Sequence, residues 1–158
     1  MKRNEEFNAH SEHTVVPGII VIIDLDKFGE FVEKYGLDPY RPNTITSELT
    51  RLLEQFTQKF RGVVIYGLDY KRGTEEAVIE IPYGVEYLDP VISELKCIAN
   101  RIRELGVTLT AVVAVDHVSG RPAKSRREAY VGTLSRRRAL RALRRAKKKG
   151  GNRIIVLA

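Results

Sequence analysis

The chain has 158 residues, 43% of them hydrophobic and 30% charged, with a formal net charge of +7. That is the make-up of one globular domain long enough for a proper core. It excludes a membrane span, because no apolar run approaches the roughly 18 residues needed, and with Cys97 as its single cysteine it excludes an internal disulfide and a cysteine zinc cluster.

The charge is unevenly placed. Residues 121–153 carry 14 Lys or Arg and one acid, Glu128, a balance of +13, and the remainder carries −6. A cationic segment of that density suits phosphate, nucleic acid or an acidic partner, and it also suits a plain solvated helix. Arg is abundant while Gln, Met and Cys are scarce, which leans towards a thermophile.

Residues 1–14 read as a flexible polar tail without the apolar core of a signal peptide, so a cytoplasmic protein is expected. His10 and His13 are spaced like metal ligands, but in a polar tail they read as unstructured. Residues 15–158 read as a single domain. The first strand spans about 18–25, where Ile19 to Ile23 form a buried β-branched run behind Pro17-Gly18. It ends on Asp24 and Asp26. Acids at the rim of a sheet suit a divalent metal and the phosphates it neutralises. They equally suit a solvated strand end with Asp26 capping the next helix.

Helical spacing follows over 27–36, then a loop with Pro39 and Pro42. Asn43 is placed to cap a helix that carries Ile45, Leu49, Leu53 and Phe56 and runs to Phe60. Val63 to Tyr66 is the second strand and could extend to Tyr70; 71–74 reads as a hairpin turn, and 76–81 as the third strand, ended by Pro82. Asp89-Pro90 reads as a cap with proline at the first helical position, and the helix behind it stops at Gly106. Cys97 falls in that helix as a small packing residue. The fourth strand spans 107–115, with Asp116 and His117 in a turn. A last helix, from 126 or 132 to 149, ends at Gly150-Gly151, and 153–157 is a closing strand.

This order predicts an α+β fold, a ferredoxin-like βαββαβ palm with an extra C-terminal helix and strand. Right-handed crossovers put strand three antiparallel between strands one and two. Asp24 then lies beside Glu75 and Glu76, so acids 50 residues apart meet at one rim. Asp116 and His117 fall on the opposite rim.

Three segments resemble a divergent GGDEF domain, the nucleotidyl-cyclase relative of the polymerase palm, to which archaeal GTP cyclohydrolase III and the CRISPR polymerase-like palms are related. They are Asp24-Leu25-Asp26-Lys27-Phe28 through Gly36, Gly73-Thr74-Glu75-Glu76-Ala77 with its following strand, and Ala139-Leu140 through Lys147, Gly150 and Asn152. The resemblance implies that Asp24, the Leu25 carbonyl and Glu75 hold Mg²⁺ or Mn²⁺. It also implies that Glu76 or Asp26 takes a second metal or a proton, and that Lys147, with Lys27, binds phosphate. Asp69, in the palm-like Tyr66-Gly67-Leu68-Asp69, is an alternative metal acid; Glu75 is preferred because the strand behind it fits best. The pattern departs at Thr74 and Ala77, and at Val32, Gly29 and Gly151, where the family has a guanine-contacting Asn, a phosphate-binding Lys and a tail Arg. The base is therefore left open.

The function implied is a metal-dependent nucleotide-processing enzyme that transfers or cyclises the nucleotidyl group of a nucleoside triphosphate. Joining nucleotides held by two protomers would need a homodimer. Two alternatives stand beside it. One is a purine-ring-opening hydrolase like GTP cyclohydrolase III. The other is a catalytically inactive palm that binds nucleic acid or protein through its Arg-rich C-terminal helix, by Arg137, Arg141, Arg144, Arg145 and Lys148.

Overall fold

The computed structural model describes residues 14–158. Nearly all of the expected tail, with His10 and His13, lies outside the described residues. The elements run β1 (Val16–Leu25), α1 (Phe28–Lys34), α2 (Thr44–Lys59), β2 (Val63–Tyr66), β3 (Glu76–Pro82), a short 3-10 turn (Val85–Tyr87), α3 (Leu88–Glu104), β4 (Leu109–Val118), α4 (Arg126–Val131), α5 (Leu134–Lys148) and β5 (Ile154–Leu157). They form a five-stranded sheet in the order β2-β3-β1-β4-β5. β3 is antiparallel to both β1 and β2, β4 is antiparallel to β1, and β5 is parallel to β4. The α+β, ferredoxin-like plan and its C-terminal addition are as expected.

β1 is central, and its apolar run is buried because both faces of the sheet are covered. Ile19, Val21, Ile23 and Leu25 pack with Leu49, Leu53, Phe56, Leu95 and Ile102 of α2 and α3. Ile20 and Ile22 pack with Ala129, Tyr130, Ala139 and Leu143 of α4 and α5. A strand side chain alternates between faces, so this division decides which helices each rim acid meets.

Asn43 caps α2 as expected, accepting from the backbone of Ile45 and Thr46 at 3.0 Å, and Thr46 returns the bond to complete a capping box. Four expectations are corrected. Asp89 does not cap α3, because the 3-10 turn feeds straight into the helix at Leu88 and puts Asp89 and Pro90 inside its first turn. The last helix is two helices, broken at Gly132-Thr133, where Thr133 turns extended and its hydroxyl caps α5 through the Arg136 N–H. Asp116 and His117 stand in β4 rather than in a turn, opposite Gly18 and Pro17, though on the rim away from Asp24 as expected. Cys97 is exposed on α3 rather than packed.

β2 ends at Tyr66 after a register shift against β3. Gly67 then lets the chain leave the sheet: its φ is +113°, and a Cβ there would overlap the Glu76 carbonyl oxygen. Gly67→Ala is expected to lower stability by about 1–3 kcal/mol or more, read as an earlier urea midpoint at an unchanged slope.

Candidate active site

Asp24, at the end of β1, pairs directly with Glu76 at the start of β3. Both side chains therefore stand on the face covered by α4 and α5. Glu75 is one residue out of phase: its carbonyl accepts from Leu25 N at 3.0 Å, and its side chain points to the α1 side. The structure thus joins Asp24 to Glu76 rather than to Glu75 at the level of side chains.

The centre of the site is a lysine. The Lys147 ammonium, from the last turn of α5, lies 2.9 Å from Asp24 Oδ2 and 3.2 Å from Asp26 Oδ1, and donates to the Leu25 carbonyl at 3.0 Å. Two carboxylates and one backbone carbonyl thus converge on one point, where a cation already stands. On α5 Lys147 follows the buried Ala139, Leu143 and Ala146 at the edge of their arc, and that position lets it reach over the strand ends.

The two aspartates are held differently. Asp26 accepts from the Thr110 and Thr108 hydroxyls, both at 2.7 Å, and from the Asn152 backbone N–H at 2.8 Å. Burial works against its charge, but these bonds and Lys147 together hold the carboxyl below its ordinary range. Asp26 thereby ties β1 to β4 and to the turn after α5. Gly151 has no side chain because a Cβ there would crowd Asp26 Oδ1 and Thr110 Oγ1, which accounts for the missing tail Arg. Asp24 has no such ring of donors. Burial pushes its carboxyl up, and Lys147 opposes that only in part.

Glu76 is gripped from α4. Arg126 reaches it with both Nε and Nη2, the latter at 3.0 Å, and the Tyr130 hydroxyl donates to Oε2 at 3.1 Å. Burial, then the Glu76 charge, pushes the Tyr130 phenol up, so it stays a proton donor. The Arg126 guanidinium also lies 5.0 Å from the Tyr130 ring centroid.

Asp69 holds the loop: its Oδ1 accepts from Lys71 N at 2.9 Å and Arg72 N at 2.8 Å. Thr74, in place of the motif's second glycine, is buried and pairs with the Thr50 hydroxyl at 2.7 Å, which pins this loop to α2. Between the loop and α4 lies an open cleft of about 690 Å³, lined among others by Tyr66, Asp69, Glu75, Glu76 and Arg126. Glu75 also borders a second depression of about 440 Å³ beside Phe28, Val32 and Arg72. Lys27 has a left-handed backbone (φ 50°) at the start of α1 and an exposed side chain. Arg137, Arg141, Arg144, Arg145 and Lys148 all project outward from α5.

Among the described residues, no group of three or more His, Cys, Asp or Glu is arranged to hold a metal ion. The donor chemistry still fits a hard divalent cation, because Asp24, Asp26 and the Leu25 carbonyl offer converging oxygens. Their shared point is held by Lys147, so a metal there requires the ammonium to move. Sequence reasoning missed Arg126 and Tyr130, which nothing local distinguishes within a basic run. The alternation Thr108-Leu109-Thr110 at a strand start was the readable sign of two hydroxyls aimed to one side.

The sheet order defines the class of fold: an α+β, GGDEF-like palm. Among solved structures the chain is similar to the diguanylate cyclase SiaD of Pseudomonas aeruginosa, determined in complex with its activator SiaC, at a TM-score of 0.59 and 20% identity. The match covers 98% of this chain and 55% of that one, so the chain spans about half the length of this neighbour. No protein-family model and no curated protein matches the chain. None of the described helices is long and apolar enough to cross a membrane.

Proposed function

We propose that the chain is a metal-dependent nucleotide-processing enzyme that transfers or cyclises the nucleotidyl group of a nucleoside triphosphate. The observation that carries this reading is the convergence of Asp24, Asp26 and the Leu25 carbonyl on one cation position at the sheet rim, beside an open cleft. Asp24, Asp26 and Leu25 would hold Mg²⁺ or Mn²⁺, with Glu75 a further carboxylate bordering the same cleft. The metal, when bound, supplies charge neutralisation at the reacting phosphate and a lowered pKa for the attacking hydroxyl.

The chain's own groups do the rest. Lys147, once drawn from the carboxylates, offers its ammonium to the phosphates. Arg126 holds Glu76 in place and sets a second positive charge at the cleft wall. Tyr130 keeps its proton and fixes the Glu76 carboxylate in one rotamer. Val32, where a guanine-reading Asn would stand, is buried in the core, so guanine gains no contact from that position.

The test is to incubate the chain with each of the four ribonucleoside triphosphates and Mg²⁺ or Mn²⁺, beside Asp24→Ala, and to separate the products and assay formate. A new nucleotide product is expected, with turnover reduced by roughly 10²-fold or more in Asp24→Ala, as when a group that stabilises transition-state charge is removed. Formate from GTP in place of a phosphoryl-transfer product would point to ring opening. No product from any of the four, in a folded chain, would overturn the reading.

A further inference from the structure

We propose that the outward face of α5 is a nucleic-acid docking surface that grips the phosphates of a strand and does not read its bases. Arg137, Arg141, Arg144 and Lys148 are all exposed. At 100° per residue they fall within an arc of about 60°, and they span about 17 Å of helix. Arg145 flanks them, and a shallow depression of about 440 Å³ lies among Arg141, Arg144, Arg145 and Lys148.

The density of like charge on one helix face sets it apart. Some surface cations are matched to acids, Arg51 and Arg101 to Glu48, Arg101 also to Glu104, Lys59 to Glu94 and, on α5 itself, Arg138 to Asp116, and others are scattered singly without an acid, as Lys27, Arg61 and Lys96 are. Among the described residues the four stripe cations make no ion pair, and α5 contains no acid at all. Like charges three and four residues apart weaken a helix. A face selected only for solvation would interleave acids, as α2 and α3 do; this one is complete when an extended anion lies along it.

The same face distinguishes among polyanions. A lipid surface is taken up by a helix that inserts its apolar side, but Ala139, Leu143 and Ala146 of α5 are buried against the sheet. A protein partner is gripped by an apolar or aromatic centre within a polar rim, and the stripe has no apolar or aromatic side chain among its cations. The lack of aromatics also removes any platform for stacked bases. What remains is contact with backbone phosphate, which positions a strand without reading sequence.

The test is fluorescence anisotropy of labelled single-stranded RNA and DNA, in two unrelated sequences, titrated with the full chain over a series of salt concentrations. Four neutralised phosphates predict a slope of about −3 in log K against log salt, equal for both sequences. Arg141→Gln with Arg144→Gln is expected to make that slope shallower by about 1.4. Arg138→Gln, on the same helix but already paired, is expected to leave it unchanged. No binding at low salt would overturn the proposal, as would equal losses in the two variants or a slope the double variant does not change. Binding only to anionic vesicles or to an acidic protein would also overturn it. None of these readouts depends on turnover, so they stand or fall apart from the nucleotide reading.

Discussion

Lys147→Gln is expected to bind Mn²⁺, in the absence of any nucleotide, roughly 10- to 100-fold more tightly than the unmodified chain. The reason is competition for the same oxygens. The Lys147 ammonium is held at 2.9–3.2 Å by Asp24, Leu25 and Asp26, and an entering metal must break those contacts. A hydrogen bond to a charged group contributes about 1.5–3 kcal/mol, and losing the equivalent of one such bond corresponds to about one to two powers of ten in affinity. Glutamine keeps the length of the side chain approximately and removes the charge, so the oxygens are left for the metal.

The same geometry predicts the opposite response once a triphosphate is present. In the unmodified chain the phosphates are expected to draw Lys147 off the carboxylates, so that nucleotide and metal would help each other to bind. The Gln variant should lose most of that mutual help. Isothermal titration, or the electron-paramagnetic signal of free Mn²⁺, measures both affinities without any need for turnover. Equal Mn²⁺ affinity in the two chains without nucleotide would falsify the idea that Lys147 occupies the metal position.

Arg136→Met is expected to cost about 3–5 kcal/mol of stability, the range for breaking a buried ion pair from one side, and roughly 10 °C or more in melting temperature for a domain of this size. The Arg136 side chain is 3% exposed and that of Glu80 is 0%. The guanidinium meets both Glu80 oxygens at 3.1 and 3.2 Å, the Ser119 hydroxyl at 2.9 Å, and the carbonyls of Arg121 and Glu128 at 3.3 Å. Among the described residues no buried side-chain polar atom lacks a partner. Removal of the arginine would leave a carboxylate in the sheet interior with only the Gly120 N–H, at 3.0 Å, and the Ser119 hydroxyl, at 3.3 Å.

Glu80→Leu combined with Arg136→Met should recover part of that loss, because no buried charge remains. Recovery will be incomplete, since Gly120 N and the two carbonyls also lose their partner. The network bears on function through position. It ties β3 to the end of α4 and to the 119–121 loop, and α4 presents Arg126 and Tyr130 to Glu76. Thermal unfolding of the two single variants and the double measures the coupling directly.

Much of this protein was decided within its sequence. The Ile19–Ile23 run, short, β-branched and bounded by Pro17-Gly18, reads as a buried strand, and the helical spacing in 44–60 reads as a helix that buries one stripe. Short connections and right-handed crossovers then set Asp24 beside Glu75 and Glu76 without any structure, and the strand register chose Glu76. Each of these follows from local periodicity or from chain connectivity, and both are written in residue order. The break at Gly132-Thr133 was half legible, since 126 and 132 were both acceptable starts for the last helix and the chain uses both.

Only the tertiary structure decided what the long polar side chains touch. Glu80 was visible as a lone charge inside an apolar strand, yet 14 cations in residues 121–153 were equally eligible to meet it. Arg136 does so because Thr133 starts α5 in the register that turns it inward, while its neighbour Arg137 faces water. Lys147 and Lys148 divide in the same way, one over the carboxylates and one on the outer stripe. A flexible side chain finds its partner through the placement of elements 50 to 120 residues away, and that placement leaves no periodic trace in the sequence around either residue.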